Sequence, residues 1–373
     1  RQCELGMAHG GATAFVWPSH DWPLSTLTAA QRASWDRDGY LVVPNAVNAS
    51  VAAAAANAVR AFVGADPDDP ATWYSNTLDI YSDRTPSGKK PHHGPCGMVQ
   101  FNHHRALWNL RQEPRIHGAF ADLYGTRRLY VTADRAHFKP PQRPEFPAWS
   151  DPGEVHVGLH WDVDTRRGSW PVPYVIQGVV YLEATSAAQG ALRVVPGFHR
   201  QLAAWDSTQP ASRSSERPEG AAGRALLEEA VAVEGGAGSL VLWHSLLPHG
   251  PAPNVGSLPR ISAYVAMLPV DAAPFLGGRP ADTPLSMSDA GTLFYLEGVP
   301  GVAATGRQLK RQSRERRAER YARRLPLLDE DPLEDELPHM PPGEEDGPLA
   351  PLTSLGKRLV GLVEWEEDGE IRE

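Results

Sequence analysis

The chain is nearly without cysteine: Cys3 and Cys96 are its only two thiols in 373 residues. Two thiols cannot build a disulfide framework or a thiolate metal cage, and such scarcity suits a reducing compartment, so a cytoplasmic location is expected. No apolar run reaches the roughly 18 residues that a membrane-spanning helix needs, so no membrane partner is expected. The start, Arg1-Gln-Cys-Glu-Leu5, lacks a basic region followed by an apolar stretch, and no secretory signal is read there. No phosphate-binding glycine loop and no G-x-S-x-G elbow occurs, which leaves nucleotide binding and serine hydrolysis without support. No internal repeat is visible. No nucleic-acid partner is expected.

Proline and glycine, by contrast, are abundant, at 35 and 34 residues. So many turn formers suit a short-stranded β architecture better than a helical bundle, and 41% hydrophobic residues suffice for a real core. Residues 28–39, 50–64 and 103–124 read as helices, with Asn48 or Ser50 as a cap for the second and a break near Pro114 in the third. Strands are expected over 128–138, 155–162, 174–183, 191–196, 230–234, 238–243 and 261–268. The organisation expected is an N-terminal extension (1–27), a main domain (28–305), and a basic helix with an acidic tail (306–373). The polar stretch 203–228 is an insertion and a candidate lid. Residues 325–373 hold 15 acidic and three basic residues, a net of −12, so residues 1–324 carry about +3. The nine basic residues of Arg307–Arg324 read as a solvated helix balanced by Asp329–Glu336, with a basic arm for an anionic partner as the alternative. The apolar spacing of Leu352–Trp365 could dock that end on the core.

The chemistry concentrates at His160-Trp-Asp162, with His249-Gly250 and Arg260 far downstream. His160 and Asp162 are two apart, so on an extended segment both side chains point the same way. A third ligand must come from elsewhere, and His249 follows the apolar run Gly238–Trp243. Two imidazoles and one carboxylate can hold Fe(II) on one face and leave the other open. H-x-[DE] alone is weak, and a simple hydrogen-bonded pair is its commoner meaning. The further Asn254 and Arg260, five and eleven residues after His249, sharpen the pattern. The runs 238–243 and 261–267 could pair as antiparallel strands and return Arg260 close to His249. His244 competes with His249, but Gly250, Asn254 and Arg260 are registered to His249. The doublets His92-His93 and His103-His104 read as loop or cap histidines, Trp161 as core, and Asp164 as a solvated carboxylate or a substrate contact.

Taken in order, Asp38-Gly-Tyr-Leu-Val-Val-Pro44, Arg135-Ala-His-Phe-Lys-Pro-Pro141, Leu159-His-Trp-Asp162, Gly190-Ala-Leu-Arg-Val-Val-Pro-Gly-Phe-His199 and Leu247-Pro-His-Gly250 through Arg260 resemble the phytanoyl-CoA dioxygenase family of Fe(II)/2-oxoglutarate oxygenases. The resemblance covers roughly residues 28–270. It also extends to a bacterial, plant and fungal branch through Ala106-Leu-Trp-Asn-Leu-Arg-Gln112, Gly125-Thr126 and Asp134-Arg135. It implies a mainly β fold with flanking helices, a double-stranded β-helix (jelly roll, cupin-like). It implies His160, Asp162 and His249 as iron ligands and Arg260 as partner of the distal carboxylate of 2-oxoglutarate. His137, Gln177 and Asn254 fall near co-substrate positions, and Arg135 lies on a strand that lines the active site, a candidate catalytic residue. Many relatives carry a small hydroxyl residue two after the distal histidine, where this chain has Pro251. Asp162 is retained, which argues against halogenation.

The reading is an oxygenase that uses Fe(II), 2-oxoglutarate and O2 to oxidise a small-molecule C–H bond. Arg135 shares its register with His137, so both should face the barrel interior, and a buried arginine needs an anion. A substrate carboxylate or phosphate, capped by a mobile 203–228 segment, is therefore expected, with an internal carboxylate on Arg135 as the equal alternative. Two rivals remain: a jelly roll that binds 2-oxoglutarate without turnover, and a zinc-dependent hydrolase or isomerase of similar fold. Arg260 argues against zinc chemistry, which does not need it, and succinate release would exclude a mere binder.

Overall fold

The helices are short and capped by their own sequence. In the computed structural model, which describes residues 22–74, 97–99, 104–131, 134–147, 158–163, 165, 176–269, 352–359 and 365–366, the chain opens with α1 (Ala29–Asp38). Thr28 and Gln31 form a reciprocal capping box there, and Gly39 ends the helix at φ 76°. Strand β1 (Tyr40–Val43) follows, then α2 (Ala49–Val63), whose first turn is capped by Asn48 through Ser50 N at 3.0 Å. Next come β2 (Met98–Val99), α3 (Arg105–Arg111) and α4 (Pro114–Tyr124). His104 caps α3, and Pro114 starts α4, where its missing N–H costs nothing.

The remaining strands are β3 (Leu129–Val131), β4 (Ala136–Lys139), β5 (Ile176–Tyr181), β6 (Leu192–Val194), β7 (Val231–Val233), β8 (Leu240–His244), β9 (His249–Pro251), β10 (Arg260–Tyr264) and β11 (Met267–Pro269). Helices α5 (Leu202–Ser207) and α6 (Gly220–Glu229) lie within the insertion, and α7 (Ser354–Leu359) near the end of the chain. One antiparallel sheet has the order β1-β8-β5-β10-β4-β2 and a second the order β7-β6-β9, with a β11-β3 ribbon beside them. The chain passes from β5 to β6 and from β8 through β9 to β10, crossing between the sheets each time. That is the alternation of a jelly roll.

Alternation along the large sheet separates two cores. Leu41, Val43, Ile176, Val180, Leu240, Leu242, Ile261, Ala263, Ala136 and Phe138 pack under the helices. Val179, Tyr181, Val241 and Trp243 face the small sheet and meet Leu192, Val194 and Val233. By the same alternation Gln177, Arg260, Ser262, Tyr264, His137 and Lys139 belong to the interior face.

Three expectations need correcting. The runs 238–243 and 261–267 do not pair: β5 lies between β8 and β10. β5 is buried at all six positions and takes the centre, while β9 carries the intervening chain to the other sheet. Residues 128–138 and 261–268 each split in two, because β3 and β11 leave the large sheet to form their own ribbon. β1, β2 and β9 lie outside the expected strands; at two to four residues they are too short for a period-2 signal.

The C-terminal segment docks on α3 and β3. Thr353 N donates to Gln112 Oε1 at 2.8 Å, Leu355 and Leu359 are buried, and Trp365 Nε1 donates to Leu129 O at 3.0 Å. The basic segment 307–325, the acidic stretch 329–350, Asp164 and the doublet His92-His93 lie outside the described residues. Among the described residues no helix is long and apolar enough to cross a membrane.

Candidate metal and co-substrate site

The two sheets bring His160 and His249 together by main-chain pairing. His160 N donates to His249 O at 2.8 Å and His249 N to His160 O at 2.9 Å, an antiparallel bridge that sets the rings 4.5 Å apart. Asp162, two residues on, places Oδ1 3.4 Å from His160 Nε2 and Oδ2 3.3 Å from His249 Nε2. The three donor atoms lie within 4.8 Å of one another. Donors bound at about 2.1 Å to one ion, mutually at right angles, stand roughly 3 Å apart, so the trio fits a facially bound divalent metal. The His249 side chain is 4% exposed and those of His160 and Asp162 35% and 42%, which leaves one side of the trio open.

The protonation pattern suits a ligand set. His249 Nδ1 lies 2.9 Å from Leu247 O; a carbonyl can only accept, so Nδ1 carries the hydrogen and Nε2 keeps its lone pair. Burial pushes the His249 imidazole below its ordinary pKa, further lowered by His160, against the opposing pull of Asp162. Burial pushes the Asp162 carboxyl up, but the adjacent imidazoles, His160 first and then His249, outweigh it and hold it well below the usual range.

Gly250 explains the His-Gly pair. A Cβ there would stand 1.8 Å from Gly158 O, a main-chain atom that cannot swing away. Gly250→Ala is expected to push the bridge apart, cost about 1–3 kcal/mol of stability, and lower metal affinity more than tenfold. A melting curve and a metal titration check this, and unchanged metal affinity would contradict it.

Trp161, between His160 and Asp162, turns into the core. Its Nε1 donates to Leu246 O at 3.0 Å, and its ring packs on Phe198 and Trp205. The insertion ties itself to this back side: Trp161 N donates to Glu216 O, Thr165 N to Ser215 O, and Arg213 bonds Thr165 Oγ1 and Asp206 while lying over both tryptophans. In this structure the segment braces the stretch that carries His160 and Asp162.

The rival His244 takes the opposite face of β8 from Trp243. Its ring stacks on His199 at 5.1 Å, and its Nδ1 accepts from Leu246 N. Burial, then the Arg200 charge, lowers His199 to about 4, against Asp36 and Asp38; burial, then the His199 charge, lowers His244 to about 3. Both therefore stay neutral in the fold while the unfolded chain protonates near pH 6.5. Stability from this pair is complete above about 6.5 and is lost as pH falls toward 4 and below. Melting temperature should drop over that window, and less in His199→Gln; a pH-independent difference would contradict this.

Arg260 is 1% exposed. Its Nη1 donates to Gly190 O at 3.1 Å and its guanidinium lies 5.5 Å from the Tyr181 ring centre. Its Nε has no hydrogen-bond partner, and no carboxylate among the described residues pairs with it. Ser262, two along the same face, is fully buried with its Oγ also unpartnered. A buried cation and an unused hydroxyl two residues apart on one strand face are the chemistry that an anion would need. Sequence reasoning missed Ser262, although the i,i+2 spacing from Arg260 on a strand was a usable signal.

The other candidates take varied places. His137 is buried on the interior face, edge-on to Tyr264. Gln177 Nε2 donates to Asp162 Oδ2. Asn254 is fully buried and gives its amide hydrogens to Lys139 O and Leu258 O, both at 2.9 Å, with Oδ1 accepting from Gly256 N, so it staples the β9–β10 loop. Arg135 Nε lies 3.1 Å from Asp134 Oδ1, an internal ion pair. Pro251 pairs with Leu192 across β6 and β9.

The family model described as Phytanoyl-CoA dioxygenase (PhyH) matches residues 35–262. A curated Dictyostelium discoideum protein named "Putative phytanoyl-CoA dioxygenase" is 22% identical over 229 residues, 55% of this chain. The match spans 63% of that relative's length. Among solved structures, apo EctD from S. alaskensis is similar at TM-score 0.45 and 20% identity, covering 69% of this chain and 81% of that one. The epimerase SnoN in complex with Fe3+, alpha ketoglutarate and nogalamycin RO is similar at TM-score 0.43 and 17% identity, covering 69% and 91%.

Proposed function

The chain belongs to the phytanoyl-CoA dioxygenase (PhyH) family, and from that membership we propose that it is a non-haem Fe(II)/2-oxoglutarate-dependent dioxygenase that hydroxylates or otherwise oxidises a C–H bond of a small molecule. The observation that carries this reading furthest is the buried Arg260 guanidinium, with no acid partner among the described residues, on the interior face of the fold that also bears the His160–Asp162–His249 trio.

His160, Asp162 and His249 would hold the iron. Bound there with 2-oxoglutarate, the iron supplies the O2-activating chemistry that oxidises the substrate, with release of succinate and CO2. The chain's own work is positioning and exclusion of water. The Leu247 carbonyl keeps the His249 tautomer with Nε2 bare. Arg260 pairs with the distal carboxylate of 2-oxoglutarate and Ser262 donates its hydroxyl to the same group. Val179, Tyr181, Val241 and Trp243 keep the neighbouring interior dry. An acid-bearing substrate draws no support from Arg135, because Asp134 already neutralises it.

Equilibrium binding tests the reading without knowledge of the substrate. 2-Oxoglutarate should bind the metal-loaded protein more tightly than the metal-free protein, and a small-molecule screen should then find compounds that raise succinate release. Absence of 2-oxoglutarate binding in both states would overturn it.

A further inference from the structure

Gln177 lies at the centre of the large sheet, on β5, and is 4% exposed. Its Nε2 donates to Asp162 Oδ2, while its Oε1 is buried without a hydrogen-bond partner among the described residues. A carboxylate flanked by two imidazoles only accepts, so the amide must present its N–H2 and the orientation is forced. We propose that Gln177 is a positioning residue for the metal-ligand carboxylate: its amide holds Asp162 in one rotamer and occupies Oδ2, leaving Oδ1 for the metal.

The need for such a device is visible in the geometry. The Asp162 side chain is 42% exposed and sits outside any strand, and its two oxygens face the two imidazoles almost evenly, at 3.4 and 3.3 Å. Nothing in that arrangement selects one oxygen over the other. The amide removes the symmetry. Its own support is rigid: a Cβ on the next residue, Gly178, would lie 2.5 Å from Val265 O, so β5 has no slack there. The register partner of Gln177 on β8 is Trp243, whose ring lies 5.1 Å from His249. Adjacent positions of two central strands thus steady two of the three ligands. Outer-shell hydrogen bonds of this kind orient ligands and tune their basicity.

This inference rests on the ligand assignment above and differs from a co-substrate contact in what it moves. The test compares the metal-free full chain with Gln177→Met, which keeps the shape without the donor, and with Gln177→Asn, which keeps the amide but falls short of Asp162. Co(II) is titrated by its visible absorption, and 2-oxoglutarate is then titrated calorimetrically at saturating Co(II). Both variants should bind Co(II) about 10–100-fold more weakly, with an altered absorption band, and should bind 2-oxoglutarate within about threefold of the wild type once metal is saturating. Wild-type Co(II) affinity in both variants overturns the proposal. So does a loss confined to 2-oxoglutarate, which would make Gln177 a co-substrate contact. If the wild type itself binds no Co(II), or keeps its affinity after Asp162→Ala, the ligand assignment falls instead.

Discussion

Arg260→Met is expected to raise the melting temperature of the ligand-free protein and to remove most of its affinity for 2-oxoglutarate. The guanidinium is 1% exposed, with its Nε unpartnered and no carboxylate beside it among the described residues. Burying such a charge costs free energy that one carbonyl bond, to Gly190, and the nearby Tyr181 ring offset only in part. Methionine has a similar length and no charge, so the ligand-free fold should gain about 1–3 kcal/mol. The co-substrate pays for the difference. A buried carboxylate that loses its guanidinium loses roughly 2–5 kcal/mol, about 30-fold to several-thousand-fold in affinity. Melting curves with and without 2-oxoglutarate read both effects, since a ligand at about 100 times its Kd stabilises by about 2.7 kcal/mol. A variant that 2-oxoglutarate still stabilises as it does the wild type would show that the distal carboxylate sits elsewhere. A variant less stable than the wild type without ligand would show that Arg260 is a structural cation.

His249→Ala is expected to abolish tight Fe(II) binding, by well over 100-fold, given that loss of an outer-shell contact alone costs 10–100-fold. His249 contributes one of three donors, with Nε2 3.3 Å from Asp162 Oδ2 where one ion would meet both. His244→Ala, five residues earlier, should leave metal affinity within about threefold, because that ring stacks on His199, lies tilted 6.2 Å from the Trp35 ring and accepts from Leu246 N at Nδ1. Its effect should appear as lost packing in the melting temperature. Paired titrations of the two variants decide the matter: metal loss in His244→Ala and retention in His249→Ala would reverse the ligand assignment.

Local information was enough for the parts of this protein governed by short-range geometry. The i,i+2 spacing of His160 and Asp162 places two donors on one side of an extended segment, and the structure brings both within 4.8 Å of a His249 donor. Thr28 with Gln31, Asn48, Pro114 and Gly39 carry their helix boundaries in their own chemistry. The turn-rich composition pointed to short strands.

What depended on long-range packing was not legible. Nothing local says that β5 separates β8 from β10, because which strand takes the centre depends on which is buried on both faces, and that is a property of the assembled sheets. Gly250 stands out in sequence only as the neighbour of His249; the folded chain alone shows that a Cβ there would stand 1.8 Å from Gly158 O, far inside van der Waals contact. Gln177 and Asn254 look alike as amides near a cofactor, yet one meets a carboxylate 15 residues away and the other meets main-chain carbonyls on two segments. Arg135 and Arg260 are both buried arginines in sequence terms; the adjacent Asp134 carboxylate neutralises the first, while the second is left with a charge for a ligand to meet. The shared side of His160 and Asp162 follows from residue spacing, which the chain itself carries. The partner of each buried polar group follows from where distant strands cross, and only the folded molecule decides that.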